Sequence, residues 1–321
     1  MDQAQTFFAV RVVEKCYRHG VIIFTLARSD GAPLPLFTAG AHISLRLPDG
    51  VIRQYSLCGD AGRSDRYRLA ILVAPDAKGA GVYLRDRLLP GASVEICAPR
   101  NDFPLAELPH PSLLLAGGIG LTPLLSMAQT LWAQRRPFQL HYFGRHDTLA
   151  AFADQPEYAA VQDYLVIHPR DHDIDAQLAP LVADWQQRYG RFGLYYCGSL
   201  PFMQSVREYC DARGFPAADG HYESFTPAPV QGEPAFEVEI FSTGAIIPVP
   251  ADLTIAAALS QAGIEVELSC GLGICGTCLA AVKDGIPDHR DDYLSVEQKQ
   301  ANNQILLCCS RARTTRLVID I

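Results

Sequence analysis

Short apolar runs separated by Gly, Pro and Asp fill the first hundred positions. Val21-Ile22-Ile23-Phe24-Thr25-Leu26, His42-Ile43-Ser44-Leu45-Arg46-Leu47 and Tyr67-Arg68-Leu69-Ala70-Ile71-Leu72-Val73 are strand-length and evenly spaced, which predicts a small all-β barrel or sandwich over 1–104. A helix is expected over 82–89, closed by Pro90-Gly91, with a further strand at 93–96. The pattern changes after position 105. Ser112-Leu113-Leu114-Leu115-Ala116 is a continuous apolar run, as a strand buried on both faces requires. A glycine turn follows, then a helix over 123–134, strands at 138–143 and 164–168, a helix near 177–188, a strand at 193–197 and a helix over 201–213. That alternation over 105–227 predicts a doubly wound parallel sheet. Residues 226–234 are rich in proline and lack periodicity, so 228–235 reads as a linker. The remainder, 236–321, carries expected strands at 236–241, 245–249, 279–282 and 304–308 and a helix near 253–262, an α+β layout. The fold class is therefore multidomain: β-barrel, α/β doubly wound, then α+β.

Charge narrows the partners. The net charge of −8 argues against nucleic acid or an anionic membrane surface. No stretch approaches the roughly 20 apolar residues of a membrane span, and the first residues lack a signal-peptide layout. A cytoplasmic protein is expected.

Ten cysteines are present, and five of them, at 270, 275, 278, 308 and 309, fall in the last part of the chain. In a cytosolic chain this clustering points to a metal site rather than to disulfides. Cys270-Gly-Leu-Gly-Ile-Cys275-Gly-Thr-Cys278 followed by Cys308 has the C-x₄-C-x₂-C…C spacing of a plant-type [2Fe-2S] cluster. Two irons need four thiolates, and three come from one tight loop. Gly271, Gly273 and Gly276 let that loop wrap the cluster with backbone N–H groups aimed at sulfur. A structural zinc site also takes four cysteines, but by two short hooks rather than one hook and a long return. Cys308 is expected to arrive on a strand, with Cys309 facing the other way as a buried apolar residue.

Two further regions carry candidate chemistry. Arg53-Gln54-Tyr55-Ser56 ends a strand of the β domain. Its Arg can hold a phosphate, while Tyr and Ser can pack on and hydrogen-bond a flavin ring. Lys78-Gly79-Ala80-Gly81 precedes a helix, where backbone amides could cradle a phosphate; an ordinary turn explains the string equally well. Gly117, Gly118, Gly120 and Thr122 sit in a turn between a buried strand and a helix, the context of a pyrophosphate site, although the string is not G-x-G-x-x-G. Cys197-Gly198 ends a later strand at the same carboxyl edge. Arg145 and His146, after the strand at 138–143, would favour a 2′-phosphate, and Asp147 would oppose one.

Taken with Pro99-Arg100-Asn101-Asp102-Phe103-Pro104-Leu105, Tyr222-Glu223-Ser224-Phe225 and Asp288-His289-Arg290-Asp291, these strings resemble the phthalate dioxygenase reductase family over nearly the whole chain. The resemblance implies an FMN-binding barrel, an NAD-binding domain and a C-terminal β-grasp ferredoxin domain. It implies FMN rather than FAD, with the phosphate on Arg53 and the Lys78–Gly81 loop and the ring near Gln54, Tyr55, Ser56 and Phe225. Cys197 and Gly198 would flank the nicotinamide, and NADH is expected over NADPH on this basis alone. The sequence departs from the family pattern in Lys78-Gly79-Ala80-Gly81-Val82, where the loop usually carries a Ser after its paired glycines, and at Ser199, where Cys-Gly-Pro is usual. A nicotinamide gives up two electrons as hydride and the cluster takes one at a time, so a flavin belongs between them. The implied electron acceptor is a Rieske-type non-haem iron oxygenase or demethylase. Residues 236–321 hold eleven Asp/Glu and six Lys/Arg, an acidic balance that either steers docking or is a solvated surface. Two other readings are a non-catalytic iron–sulfur sensor or adaptor, and a stand-alone flavin or ferric reductase.

Overall fold

The computed structural model describes residues 6–48, 50, 52–73, 77, 80–168, 174–225, 233–267, 273, 276–291 and 293–321. It divides into two units, residues 1–72 with 86–223 and residues 73–85 with 224–321.

The first unit holds two sheets. Six strands, β1 (Phe7–Arg18), β2 (Val21–Arg28), β3 (His42–Arg46), β4 (Ile52–Ser56), β5 (Tyr67–Leu72) and β6 (Ser93–Cys97), pair in the order β4-β3-β6-β1-β2-β5. A bridge from Leu57 to Leu69 joins the two ends and closes the barrel, which removes the free edges of an open sheet. Inward residues such as Val10, Val12, Ile22, Phe24, Ile43, Leu45 and Leu69 are fully buried and form its core. β1 is kinked by an irregularity between Val12 and Glu14, and the extra residue, Val13, is left half-exposed.

The second sheet of this unit comprises β7 (Ser112–Gly117), β8 (Phe138–Phe143), β9 (Leu165–His168), β10 (Gly193–Gly198) and β11 (Gly220–Ser224), in the order β11-β10-β7-β8-β9. The pairs β10–β7, β7–β8 and β8–β9 are all parallel. Helix α1 (Leu121–Ala133) is apolar nearly all round and buried. Helices α2 (Ile174–Tyr189) and α3 (Leu200–Ala212) pack with the sheet through Leu113, Leu115, Leu178, Trp185, Leu194 and Val206. The chain winds outward from β7 through β8 to β9, then returns to the opposite side at β10. The carboxyl ends of β7 and β10 therefore form the switch point at which open α/β sheets bind ligands.

Polar ties hold the two sheets of this unit together. The buried Arg68 of β5 donates from Nη1 to Gln155 Oε1 at 2.5 Å and to Glu157 Oε2 at 2.9 Å, and Gln129 Nε2 of α1 donates to the Cys58 carbonyl at 3.1 Å.

The second unit contains a five-stranded sheet. Its members are β12 (Phe236–Ile240), β13 (Ile246–Val249), β14 (Leu279–Asp284), β16 (Gln304–Leu306) and β18 (Arg316–Asp320), in the order β13-β12-β18-β14-β16. A small pair, β15 (Pro287–Asp288) and β17 (Arg311–Ala312), lies apart. The last strand, β18, inserts between the hairpin β12–β13 and β14, parallel to β12 and antiparallel to β14. This is the β-grasp arrangement, with α4 (Ile255–Gln261) covering a core of Val238, Ile240, Leu259, Ile305, Leu317 and Ile319. Helix α5 (Val296–Ala301) opens with a capping box between Ser295 and Gln298.

Two local expectations are corrected. The helix expected over 82–89 is a short α turn, Ala80–Val82, that widens into a π turn over Tyr83–Arg87; Leu84 and Leu88 are buried and Leu89 is exposed. The strand expected over 304–308 ends at Leu306, and Cys308 and Cys309 lie on the turn beyond it. Among the described residues no helix is long and apolar enough to cross a membrane.

Candidate functional site

The glycine turn after β7 is built by close approach of backbone to backbone. A Cβ on Gly120 would lie 2.6 Å from the Gly198 nitrogen and closer still to the Cys197 carbonyl. A Cβ on Gly198 would lie 2.8 Å from the Gly117 Cα, and one on either Gly117 or Gly198 would strike the Phe202 ring at 2.6 Å. These three glycines form a seam between the ends of β7 and β10, held in register by the Cys197–Ala116 pairing. Gly118 differs: its φ is +57° and nothing lies within 4 Å of its Cβ position. It is the glycine of the turn that faces open space, on a single 3₁₀ turn, Gly118–Gly120, leading straight into α1. The helix begins at Leu121 rather than at 123, because Pro123 is tolerated within a first turn. Thr122 is buried, and its hydroxyl donates to the Ile119 carbonyl at 3.0 Å. Arg145 is exposed and follows β8 at the same carboxyl edge; its carbonyl accepts from Tyr142 Oη at 3.2 Å.

Beside this switch point the barrel contributes β4. Arg53, Gln54, Tyr55 and Ser56 pair with Leu45, Ser44, Ile43 and His42 of β3, and Arg53 and Tyr55 alternate with Gln54 along the strand. Ser56 is buried, and its hydroxyl donates to Glu223 Oε2 on β11 at 3.4 Å. Burial pushes the Glu223 carboxyl up to about 7; the Ser56 hydrogen bond opposes that shift and the Asp102 charge adds to it. Cys197 is fully buried, and burial first and the Glu223 charge second push its thiol up. Ser56, Glu223 and Cys197 thus come from β4, β11 and β10 to one place. Glu223 is the residue that reading the sequence missed. It stood in the Tyr222–Phe225 string, but only its meeting with Ser56, far away in the chain, marks it.

The raised carboxyl has a testable consequence. Below pH 4.5 Glu223 is protonated in both folded and unfolded chains and adds nothing. Between pH 4.5 and 7 the unfolded chain ionises while the folded one keeps its proton, so stability falls as pH rises; above 7 the loss is complete. At 1.36 kcal/mol per unit the total is up to about 3 kcal/mol. Urea unfolding at pH 5 and pH 8 is expected to show this decline in the native chain and a smaller one in Glu223→Gln. Equal declines in both would place the titration elsewhere.

Gly81, on the short turn Ala80–Val82, has its Cβ position 2.9 Å from the Ala77 side chain and needs to be glycine for packing. Gly81 and the half-buried Phe225 belong to the second unit. Lys78 and Gly79 lie outside the described residues.

In the β-grasp unit, Cys278 at the start of β14 and Cys308 beyond β16 are 4 % and 1 % exposed. The antiparallel pairing of Leu279 with Leu306 brings them side by side, and Leu307 N donates to the Cys278 carbonyl at 3.2 Å. Cys270 and Cys275 lie outside the described residues. Two glycines of the loop are held tightly by their neighbours. Gly273 has φ +69° and its Cβ position is 2.5 Å from Cys309 Sγ, while Gly276 has φ +78° and its Cβ would enter the Tyr293 ring. Neither position admits a side chain. Two buried thiols side by side make a soft donor pair suited to iron. Cys309 is buried in the core, as its apolar reading required, although on a turn instead of a strand.

A closed barrel joined to a switch-point nucleotide sheet, and a thiol-bearing β-grasp fold in the same chain, define a nicotinamide- and flavin-dependent reductase that carries its own ferredoxin. Residues 238–313 match the 2Fe-2S iron-sulfur cluster binding domain. Over 302 residues the chain is 43 % identical to vanillate O-demethylase oxidoreductase of Pseudomonas putida, covering 93 % of this chain and 94 % of that protein. It is 35 % identical to phthalate dioxygenase reductase of Burkholderia cepacia, covering 93 % and 92 %. The solved structure of a phthalate dioxygenase reductase, described as modular for electron transfer from pyridine nucleotides to [2Fe-2S], superposes with TM-score 0.59 at 31 % identity over 98 % of each chain. The chain belongs to the phthalate dioxygenase reductase family. It is an oxidoreductase that carries electrons from NADH through FMN to a [2Fe-2S] cluster. Several of its relatives are oxidoreductases or reductase subunits of demethylases and oxygenases, which favours this reading over a sensor or a stand-alone flavin reductase.

Proposed function

We propose that the chain is the cytoplasmic reductase of a Rieske-type non-haem iron O-demethylase or oxygenase. The similarity to a demethylase oxidoreductase along the whole chain supports the partner class. The observation that carries the residue assignment is the convergence of Ser56, Glu223 and Cys197 beside the Gly117–Gly120 turn.

In this reading Arg53 holds the FMN phosphate together with Lys78, Gly79 and Gly81, and Gln54, Tyr55, Ser56 and Phe225 serve the ring. The turn at Gly117, Gly118, Gly120 and Thr122 receives the NADH pyrophosphate, with the Gly118 face open to it. Arg145 lies toward the adenosine end, and Cys197 and Gly198 toward the nicotinamide. Bound flavin supplies the conversion of a hydride into single electrons. The chain's own residues orient and gate. The seam glycines allow close backbone approach, and Ser56 Oγ and Glu223 Oε2, which share a hydrogen bond, would hold a proton for a bound flavin. Cys270, Cys275, Cys278 and Cys308 hold the cluster.

Acid-released flavin should be FMN, about one per chain. Arg53→Ala should weaken its retention by the roughly 1.5–3 kcal/mol of a charge-assisted contact, a 10- to 150-fold rise in Kd. NADH with this chain should reduce a purified Rieske-type O-demethylase component anaerobically. Release of FAD, unchanged retention in Arg53→Ala, or an oxygenase component left oxidised would each count against the assignment it tests.

A further inference from the structure

The last acidic residue of the Pro-rich segment does not behave as a linker residue. Glu233 stands at the end of Thr226–Gly232, where composition predicts a solvated side chain, yet its side chain is only 11 % exposed. Arg311 Nε lies 2.8 Å from its Oε2, and Arg290 Nη2 lies 2.9 Å from its Oε1. Arg311 is itself 7 % exposed. Its remaining N–H groups donate to the carbonyls of Leu253 at 2.6 Å, Pro250 at 3.2 Å and Pro234 at 3.3 Å, and its guanidinium lies 5.0 Å from the centre of the Phe236 ring. Arg290 also binds Asp288 at 2.8 Å.

Both arginines are wired to the turn that bears Cys308. Arg311 follows Cys308 by three positions, and Ser310, two positions after it, accepts from the Arg290 backbone N–H at 3.2 Å. A β-grasp core does not need a buried ion pair for stability, because an apolar replacement of like volume serves as well or better. Nor does a charge cluster that only fills space need the incoming chain as its counter-ion. What this pair achieves is to end the interdomain segment at a fixed point on the cluster-bearing turn.

We propose that Glu233 is a positioning residue for electron delivery to the cluster: it anchors the incoming chain to Arg290 and Arg311, and so fixes how the cluster-bearing turn is presented. The proposal rests on the flavin-to-cluster reading above.

The test uses the full holoprotein as Glu233→Gln, with anaerobic stopped-flow mixing against NADH and the flavin and cluster bands followed separately. Flavin reduction is expected within twofold of the native rate, and cluster reduction at least fivefold slower. Iron content and the reduced-cluster EPR spectrum should be unchanged. Hydrogen exchange of the peptide spanning 231–237 should rise, which reports the lost anchor without any turnover. A companion carries three Gly/Ser residues inserted after Gln231, so that the ion pairs stay intact while the segment lengthens; its cluster reduction should stay within twofold of native. Arg290→Gln removes one of the two pairs at a more exposed position, serves if Glu233→Gln does not fold, and should give an intermediate slowing. Raised exchange with cluster reduction at the native rate would overturn the proposal, and so would an insertion variant as slow as Glu233→Gln. A native protein whose flavin is not reduced by NADH would instead bring down the functional reading beneath it.

Discussion

Cys308→Ser is expected to yield a folded flavoprotein that reduces its flavin with NADH but holds no iron–sulfur chromophore. Cys308 is 1 % exposed and sits against Cys278 on the turn after β16. Serine offers a harder, shorter-reaching oxygen that stays protonated at neutral pH, so it is a poor substitute for a thiolate on iron. Iron and sulfide should fall below about a tenth of native content, and electron transfer to a one-electron acceptor served by the cluster should fall by about 100-fold or more. The flavin half should hold within twofold, since Ser56, Glu223 and the glycine turn belong to a separately packed unit. Cys309→Ser is the control. Its sulfur packs against the Gly273 backbone, so it should keep the cluster at a stability cost of about 1–3 kcal/mol for a buried hydroxyl. Iron retained in Cys308→Ser and lost in Cys309→Ser would reverse the assignment of the two neighbours.

Gly120→Ala should be among the most damaging single-methyl changes in the first unit. The neighbours its Cβ would meet are the Cys197 carbonyl and the Gly198 nitrogen, all backbone. They cannot rotate away, because β10 is held to β7 at five successive positions from Gly193 to Cys197. Overpacking against movable side chains costs about 1–3 kcal/mol; against a pinned strand the upper end or more applies. At about 2–4 °C per kcal/mol for a unit of this size, thermal unfolding should come roughly 10 °C earlier. Gly118→Ala gives the contrast. Its position is open but left-handed, so the cost is about 1–2 kcal/mol of backbone strain. If the open face receives the pyrophosphate, its KM for NADH should rise well beyond what so small a stability loss explains. A Gly120→Ala protein that melts with the native chain would refute the seam; an unchanged KM in Gly118→Ala would refute the nucleotide placement.

Much of this architecture was legible in order and type because each part keeps one period. The barrel strands are short apolar runs between turn residues, the β7 run is apolar after Ser112, and the cluster cysteines sit at a spacing with few other uses. The losses have local causes. The irregularity between Val12 and Glu14 breaks the alternation of β1 after six residues, so its pattern does not announce a strand. The stretch at 83–87 has helical composition, but over five residues a sequence cannot distinguish i→i+5 from i→i+4 bonding. A strand reading of Cys308 follows from Ile305–Cys309 being apolar throughout, and nothing in that run marks where pairing with β14 stops at Leu306. β18 is a short segment at the end of the chain, and its central place in the sheet depends on pairing with β12, nearly eighty positions earlier. Glu223 and Glu233 were the hardest. Each is an isolated acid in a short string that locally reads as solvent-facing, Tyr222-Glu223-Ser224 for one and Gly232-Glu233-Pro234 for the other. Their burial comes only from partners distant in sequence, Ser56 for one and Arg290 and Arg311 for the other.

The glycine seam also bears on how descent from a common ancestor can be read in this fold. Gly117, Gly120 and Gly198 are locked by one another and by Phe202, so a lineage that had lost all affinity for nicotinamide would still be unable to replace them. Their persistence in a distant cousin would attest to an intact sheet and say nothing of its cofactor. Gly118 is under no such steric veto. Drift at that position, with its three neighbours unchanged, is the trace that abandonment of the nucleotide would leave.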